Sequence, residues 1–222
     1  MVVELIGLPG AGKTYLSDKV SRHKTDVVNL GELSRENLWV KSVLFVIKKY
    51  IRVTLKYQKS AKTIFQIIYT KEPLFGEKIK YDDIVDCLLW ELLSSKLEKK
   101  KRVYLVDEGV AQKITYIAAI YRLTNDEMRT VFTSISHPSK LVYLNTPLDG
   151  ARDAIRQRNR HVCEMDELDV AALNVYLRSY LNSIEFYLAN YEAKIIYRKD
   201  SIDYNIKEFV KYIRGDMNQE GD

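Results

Sequence analysis

Short apolar runs alternate with segments of helical periodicity along this chain. The runs are rich in Val, Ile and Leu, which is typical of parallel strands that are buried on both faces. Because helical patterns separate the runs, the sequence predicts an α/β fold in which crossover helices flank a five-stranded parallel sheet. The predicted strands are Val2–Ile6, Val27–Leu30, Val103–Val106, Leu141–Leu144 and Lys194–Tyr197.

Capping residues predict where several helices begin. Thr124 and Glu127 form a capping box before a predicted helix over Met128–Ile135. Pro147 is predicted at the first position of the next helix, and Ser201 is predicted to cap the last one.

Residues 37–98 have a mostly helical pattern that a stretch with Pro and Gly at 72–76 interrupts. We predict two or three helices there, between the second and third strands, and one of them covers Asp82–Lys99. Acids begin that helix and lysines end it, which suits the helix dipole. We interpret 37–98 as a helical insert within a single domain that covers residues 1–222.

Positive charge is concentrated in this insert. The net charge of the chain is +5, and without the eight cations between Asn37 and Lys71, where no acid occurs, it would be −3. For residues 41–62 three interpretations stay open: a solvated helix face, peripheral contact with an anionic membrane surface, and docking of a polyanionic substrate. Nucleic-acid binding is disfavoured because the sequence contains no known recognition module.

The two cysteines and the short apolar runs argue against a disulfide-rich protein and against a membrane-spanning one. Cys87 and Cys163 form no disulfide framework, which favours reduced thiols in a cytoplasmic protein. Apolar runs such as Val43–Ile47 are far shorter than the ~20 residues that cross a bilayer.

Residues 7–14, with the sequence GLPGAGKT, match the phosphate-binding pattern G-x-x-x-x-G-K-[ST] at every required position. The glycines let backbone N–H groups point at phosphate oxygens, Lys13 adds a positive charge, and Thr14 offers a hydroxyl to Mg²⁺. The motif predicts a three-layer P-loop NTPase fold that binds ATP and Mg²⁺. The predicted nucleotide-binding residues are Gly7, Pro9, Gly10, Ala11, Gly12, Lys13, Thr14 and Tyr15.

Two acids, Asp107 and Glu108, directly follow the third predicted strand. Ligands of open α/β sheets bind at the carboxyl ends of strands, where one acid can hold Mg²⁺ and another can accept a proton from an acceptor hydroxyl. Neighbouring residues of an extended chain point in different directions, so we expect the two acids to divide these roles. We predict Thr14 and Asp107 as metal ligands, and leave open which acid is the base.

Arginines cluster after the fourth strand. Arg152 and Arg156 lie on the predicted helix, and Arg158 and Arg160 follow near its end, where a lid over 156–170 is predicted. Arginines stabilise the charge that spreads over a transferring phosphoryl group. We predict that Arg158 acts in this way, with help from Arg156 or Arg160; the alternative is a solvated basic helix face.

The order of these parts resembles the nucleoside-monophosphate kinase family of P-loop kinases, which includes the adenylate and thymidylate kinases. Gly31-Glu32-x-x-Arg35 is similar to the family's Gly-Asp-x-x-Arg segment, and the resemblance implies that Glu32 and Arg35 face the acceptor. Asp107 followed by Gln112 resembles the region after the family's third strand.

Further parts of the chain both fit and depart from this pattern. Arg158 resembles an arginine of the family's lid entrance, and Lys194–Tyr197 followed by Asp200-Ser201 resembles its last strand and adenine loop. Ala154, however, stands where the partner arginine of the lid entrance is expected, and the family's arginine after the third strand is missing.

Taken together, these features predict an Mg²⁺- and ATP-dependent kinase that phosphorylates a small-molecule acceptor. A sugar or membrane-linked glycan is the alternative acceptor, because it would not need every phosphate-holding arginine. The alternative from another class is a P-loop NTPase that acts as a switch or motor, with Asp107 and Glu108 holding Mg²⁺ and activating water. A nucleotide-binding regulatory protein without turnover is a third interpretation.

Overall fold

A parallel five-stranded sheet in the order β2-β3-β1-β4-β5 forms the centre of the molecule. The computed structural model describes residues 1–23, 26–31, 55–76, 78–100, 102–158, 164–198 and 201–217. The strands are β1 (Val2–Ile6), β2 (Val27–Asn29), β3 (Val103–Val106), β4 (Lys140–Asn145) and β5 (Lys194–Tyr197). The predicted α/β fold and parallel sheet are confirmed.

Eight α-helices flank the sheet within the described ranges, together with a short 3₁₀ helix at Glu164–Glu167. They are α1 (Lys13–His23), α2 (Leu55–Tyr69), α3 (Tyr81–Leu97), α4 (Val110–Ile120), α5 (Asn125–Thr133), α6 (Leu148–Gln157), α7 (Val170–Leu188) and α8 (Ile202–Met217).

Two apolar cores, one on each face of the sheet, create three layers. Side chains alternate along a strand, so Ile6 of β1 packs with the core that α2 to α5 and α7 form, whereas Val3 and Leu5 pack with α1 and α8. β1 is therefore buried on both faces. The loop that follows it lies at the carboxyl edge of the sheet, between the ends of β3 and β4.

The predicted helix starts were close to the observed ones. The Thr124–Glu127 capping box is confirmed, with the Thr124 N–H donating to Glu127 Oε2 at 2.8 Å. Ser201 Oγ accepts from the Tyr204 N–H at 3.4 Å. The prediction for Pro147 was wrong by one residue: it is the N-cap in an extended conformation, because Leu148 is the first residue with helical geometry.

The insert contains α2 and α3, which an irregular segment around Pro73 separates. Residues 37–54, and with them most cations of the 41–62 segment, lie outside the described ranges. Lys59 and Lys62 are exposed on α2. Among the helices that can be described, none is long and apolar enough to cross a membrane.

Candidate active site

The loop between β1 and α1 adopts a backbone path that only glycine takes easily. Gly10 and Gly12 have φ angles of 81° and 90°, in the left-handed region. A Cβ on Gly10 would also lie 2.5 Å from the carbonyl oxygen of Ala151, so α6 leaves no room for a side chain there. The loop is thus shaped by its own glycines and by the neighbouring helix.

Lys13 is folded back over this loop. Its Nζ donates to the carbonyl oxygens of Gly7 at 2.8 Å and Leu8 at 3.1 Å. Burial lowers the pKa of Lys13 to about 8, against the opposing effect of the Glu108 and Asp107 charges. Positive charge is therefore held at the mouth of the loop, next to two carboxylates.

Asp107 and Thr14 meet because β3 is the neighbour of β1. The Thr14 hydroxyl donates to Asp107 Oδ2 at 2.7 Å, and Asp107 is only 4% exposed. Gly31 makes room for the carboxylate, because a Cβ there would lie 2.5 Å from Asp107 Oδ1. Paired hydroxyl and carboxylate oxygens are the donors that suit Mg²⁺. No group of three or more His, Cys, Asp or Glu side chains that could hold a metal occurs in the described part, so phosphate oxygens and water would have to complete such a shell.

Glu108 differs from its neighbour Asp107 in its exposure to solvent and in its surroundings. It is exposed and lines a cleft of about 760 Å³, which Lys13, Thr14 and Arg158 also line. Asp107, by contrast, is buried against Thr14 below this cleft. The strand-to-helix turn thus gives the two acids different surroundings.

Among the predicted nucleotide-binding residues, Pro9, Gly10, Gly12 and Tyr15 line the same cleft. Ala11 instead packs into the core, and the Gly7 N–H is bonded within the protein to Gln112.

The arginines after β4 have different environments. Arg158 lines the cleft and donates twice to Asp166 Oδ1, at 2.7 and 3.2 Å. Arg152 forms ion pairs with Asp149 and Asp153 on its own helix, and Arg156 is exposed. Only Arg158 of these three is among the residues that line the cleft.

Several sequence-derived positions lie outside the described residues. These are the acceptor-side pair Glu32 and Arg35, the lid-entrance residue Arg160, and the 159–163 part of the predicted lid over 156–170.

Arg198 is a residue of the cleft that the sequence analysis missed. It follows β5 and its Nη1 donates to the Gly10 carbonyl at 3.0 Å, across 188 residues of chain. Its position after a strand was the available signal, because the carboxyl ends of all parallel strands meet at one edge.

Glu4 is a second missed residue. It lies in the middle of β1, is only 1% exposed, and accepts a hydrogen bond from the Gln112 N–H at 3.0 Å. Burial raises the pKa of this carboxyl to about 8, although the backbone N–H groups at the start of α4 act against the rise. An acid within an apolar run gave no sign of this role in the sequence.

A second cavity of about 570 Å³ lies next to the cleft, and both are lined by Lys113, Tyr116, Met165 and Tyr176. The rings of Phe75 and Tyr176 meet edge to face there, with centroids 4.9 Å apart. Lys78 and Lys80 line it too. The cavity therefore combines aromatic surface with three lysines.

Comparisons with known proteins agree with this architecture. A family model described as an AAA domain matches residues 2–181. Deoxyadenosine kinase from M. mycoides with the products dCMP and dCDP superposes with a TM-score of 0.60 at 11% identity, covering 97% of this chain and 100% of that one. The same enzyme with dATP gives a TM-score of 0.57 at 13% identity, with coverages of 96% and 100%. No curated protein sequence matches. At these identities the likeness shows the fold.

Proposed function

This chain belongs to the AAA domain family, and from that premise and its P-loop kinase-like fold we propose that it is an ATP- and Mg²⁺-dependent kinase with a small-molecule acceptor. The phosphate loop and Lys13 would hold the triphosphate. Thr14 and Asp107 would hold Mg²⁺, which when bound neutralises phosphate charge. The buried free thiol of Cys87 fits the proposed cytoplasmic location.

The observation that carries this proposal is the continuity of two cavities. The cleft at the phosphate loop shares four lining residues, among them Lys113 and Tyr116, with the second cavity. A switch or motor needs room for one nucleotide, whereas phosphoryl transfer needs donor and acceptor side by side. The second cavity would take the acceptor, next to the cleft that Lys13 and Arg158 line.

The proposed transfer assigns one task to each charged side chain. Glu108 accepts the proton of the acceptor hydroxyl as that oxygen bonds to the γ-phosphorus, and the bond from the γ-phosphorus to the ADP oxygen breaks. Lys13 and Arg158 stabilise the charge that spreads over the phosphoryl oxygens. Asp166 fixes the Arg158 guanidinium through two hydrogen bonds, so the group is oriented in advance.

The lining of the second cavity favours an acceptor that has a planar ring and an anionic group. Among the described residues, three lysines line it together with one acid, Asp83, whose Oδ2 accepts from the Lys80 N–H at 2.8 Å. Sugar recognition uses several side-chain acceptors for hydroxyl groups, and the described residues of this cavity provide few. Phe75 and Tyr176 supply faces and edges for a ring.

A transfer assay tests the proposal. Purified protein is incubated with γ-labelled ATP, Mg²⁺ and separate pools of nucleosides, nucleoside monophosphates, aromatic acids and sugars. We expect label in an acceptor that carries a ring and an anion, and none with K13M, which lacks the ammonium. Label that appears only as free phosphate would refute the kinase proposal and favour the switch or motor.

A further inference from the structure

We propose that Glu4 is a positioning residue of this site: from β1 it holds the start of α4, and with it the turn from Asp107 to Gly109, in place against the phosphate loop. The inference rests on the proposed function in one respect only, because it takes Thr14 and Asp107 as the pair that holds Mg²⁺.

Helix α4 begins without a cap of its own. Its N-cap is Gly109, which has no side chain to accept from the first-turn N–H groups. The Glu4 carboxyl takes this part instead, because it accepts from the Gln112 N–H at 3.0 Å, and the N–H groups of Val110 and Ala111 also act to lower its pKa. A strand residue 108 positions away thus caps the helix.

The Glu4 carboxyl occupies the space that a side chain at position 109 would need. The φ angle of Gly109 is −86°, so its backbone conformation does not require glycine. A Cβ at this position would, however, lie 2.5 Å from Glu4 Cδ and within 2.8 Å of both carboxyl oxygens. Any side chain at 109 would push the carboxyl away from the helix start.

The same contact ties α4 to the phosphate loop. Gln112 donates its backbone N–H to Glu4, and its Oε1 accepts from the Gly7 N–H at 3.1 Å. Tyr180 of α7 in turn donates to the Gln112 carbonyl at 3.0 Å. The three residues that Gln112 contacts here, Glu4, Gly7 and Tyr180, are all buried.

Asp107 lies between two fixed points. β3 holds it on one side, and Gly109, the N-cap of the helix start that Glu4 caps, lies two residues after it. Asp107 Oδ2 lies 2.7 Å from Thr14 Oγ1, so a shift of the helix start would separate the two oxygens that would hold Mg²⁺. Loss of Glu4 should therefore weaken Mg²⁺-assisted nucleotide binding more than nucleotide binding itself.

The test compares ATP affinity with Mg²⁺ and with EDTA by calorimetry. The gain in affinity that Mg²⁺ gives is measured for wild type, E4L, E4Q and V2A. E4L removes the acceptor oxygens, E4Q keeps one, and V2A destabilises the same buried strand but removes no hydrogen-bond acceptor. We expect the gain to fall about tenfold in E4L, as for losses of groups behind a metal ligand, and to stay within about twofold of wild type in E4Q and V2A.

An unchanged Mg²⁺ gain in E4L would overturn the proposal, and so would an equal loss in V2A. If E4L does not fold, G109A is measured instead, because its new Cβ displaces the Glu4 carboxyl while the acid is retained. An unchanged gain in folded G109A would then overturn it. No acceptor is present in this assay, so failure to phosphorylate an acceptor would refute the kinase proposal alone.

Discussion

Replacement of Glu4 by Gln should change how the stability of the protein depends on pH. The carboxyl is buried in the central strand, and its folded-state pKa is raised from 4.5 to about 8 by that burial. The charged and titratable groups that face it are Lys113 of α4, Cys87 of α3 and Tyr187 of α7. The amide of E4Q has nearly the same shape and carries no titratable proton.

The sign of the effect follows from proton linkage. Between pH 4.5 and 8 the folded protein keeps the Glu4 proton and the unfolded chain has lost it, so unfolding releases a proton. The contribution of the neutral carboxyl is therefore complete below pH 4.5 and is lost as the pH rises to about 8. The shift corresponds to about 5 kcal/mol in the free energy of unfolding across this window. Such a loss is a large share of the stability of an ordinary domain.

Urea unfolding followed by circular dichroism at pH 5, 6, 7, 8 and 9 measures this directly. The free energy of unfolding of E4Q minus that of wild type should rise with pH by about 1.4 kcal/mol per unit and level off above pH 8. The free energy of unfolding of V2A should change with pH in the same way as that of wild type, because the substitution removes no titratable group. If the difference in free energy of unfolding between E4Q and wild type stays the same from pH 5 to 9, the assignment of a raised pKa to Glu4 is refuted.

Three further substitutions test the cleft. K13M should reduce ATP-dependent transfer by about a hundredfold or more, measured with γ-labelled ATP, because a positive charge at the phosphates is lost. R198M should weaken ATP binding about fivefold in calorimetry, since it removes one hydrogen bond to the Gly10 carbonyl. K113M should raise the KM for an anionic acceptor about tenfold and leave that for a neutral one unchanged, while K59M, at an exposed position of α2, alters neither.

Much of the fold could be predicted because the inner strands β1, β3 and β4 are largely buried on both faces, and even the more exposed β5 is rich in apolar residues. Apolar composition alone therefore marks them, and all five were located within one residue at each end. The small errors arise where burial is incomplete: β4 extends from Lys140 to Asn145, and both end residues are only partly buried and polar. Partial burial leaves no apolar signal at such positions.

The site could be predicted only where its chemistry is local in sequence. The phosphate loop is such a case, because Gly10 and Gly12 need conformations that other residues avoid. Glu4 and Arg198 act on partners 108 and 188 positions away, and each is an ordinary residue in its own segment. Their roles depend on sheet order, which adjacent residues in the sequence do not show.

Sheet order also explains why the phosphate loop is held from every side. β1 is central, so its loop lies between the segments that follow β3 and β4, with that after β5 one strand further on. From the β3 side Gln112 accepts from Gly7, from the β4 side Ala151 packs against Gly10, and from the β5 side Arg198 donates to the Gly10 carbonyl. Each contact fixes part of the loop without using the side chains of Lys13 or Thr14. Because the loop is ordered by its neighbours, little of the binding free energy of a triphosphate has to be spent on ordering it.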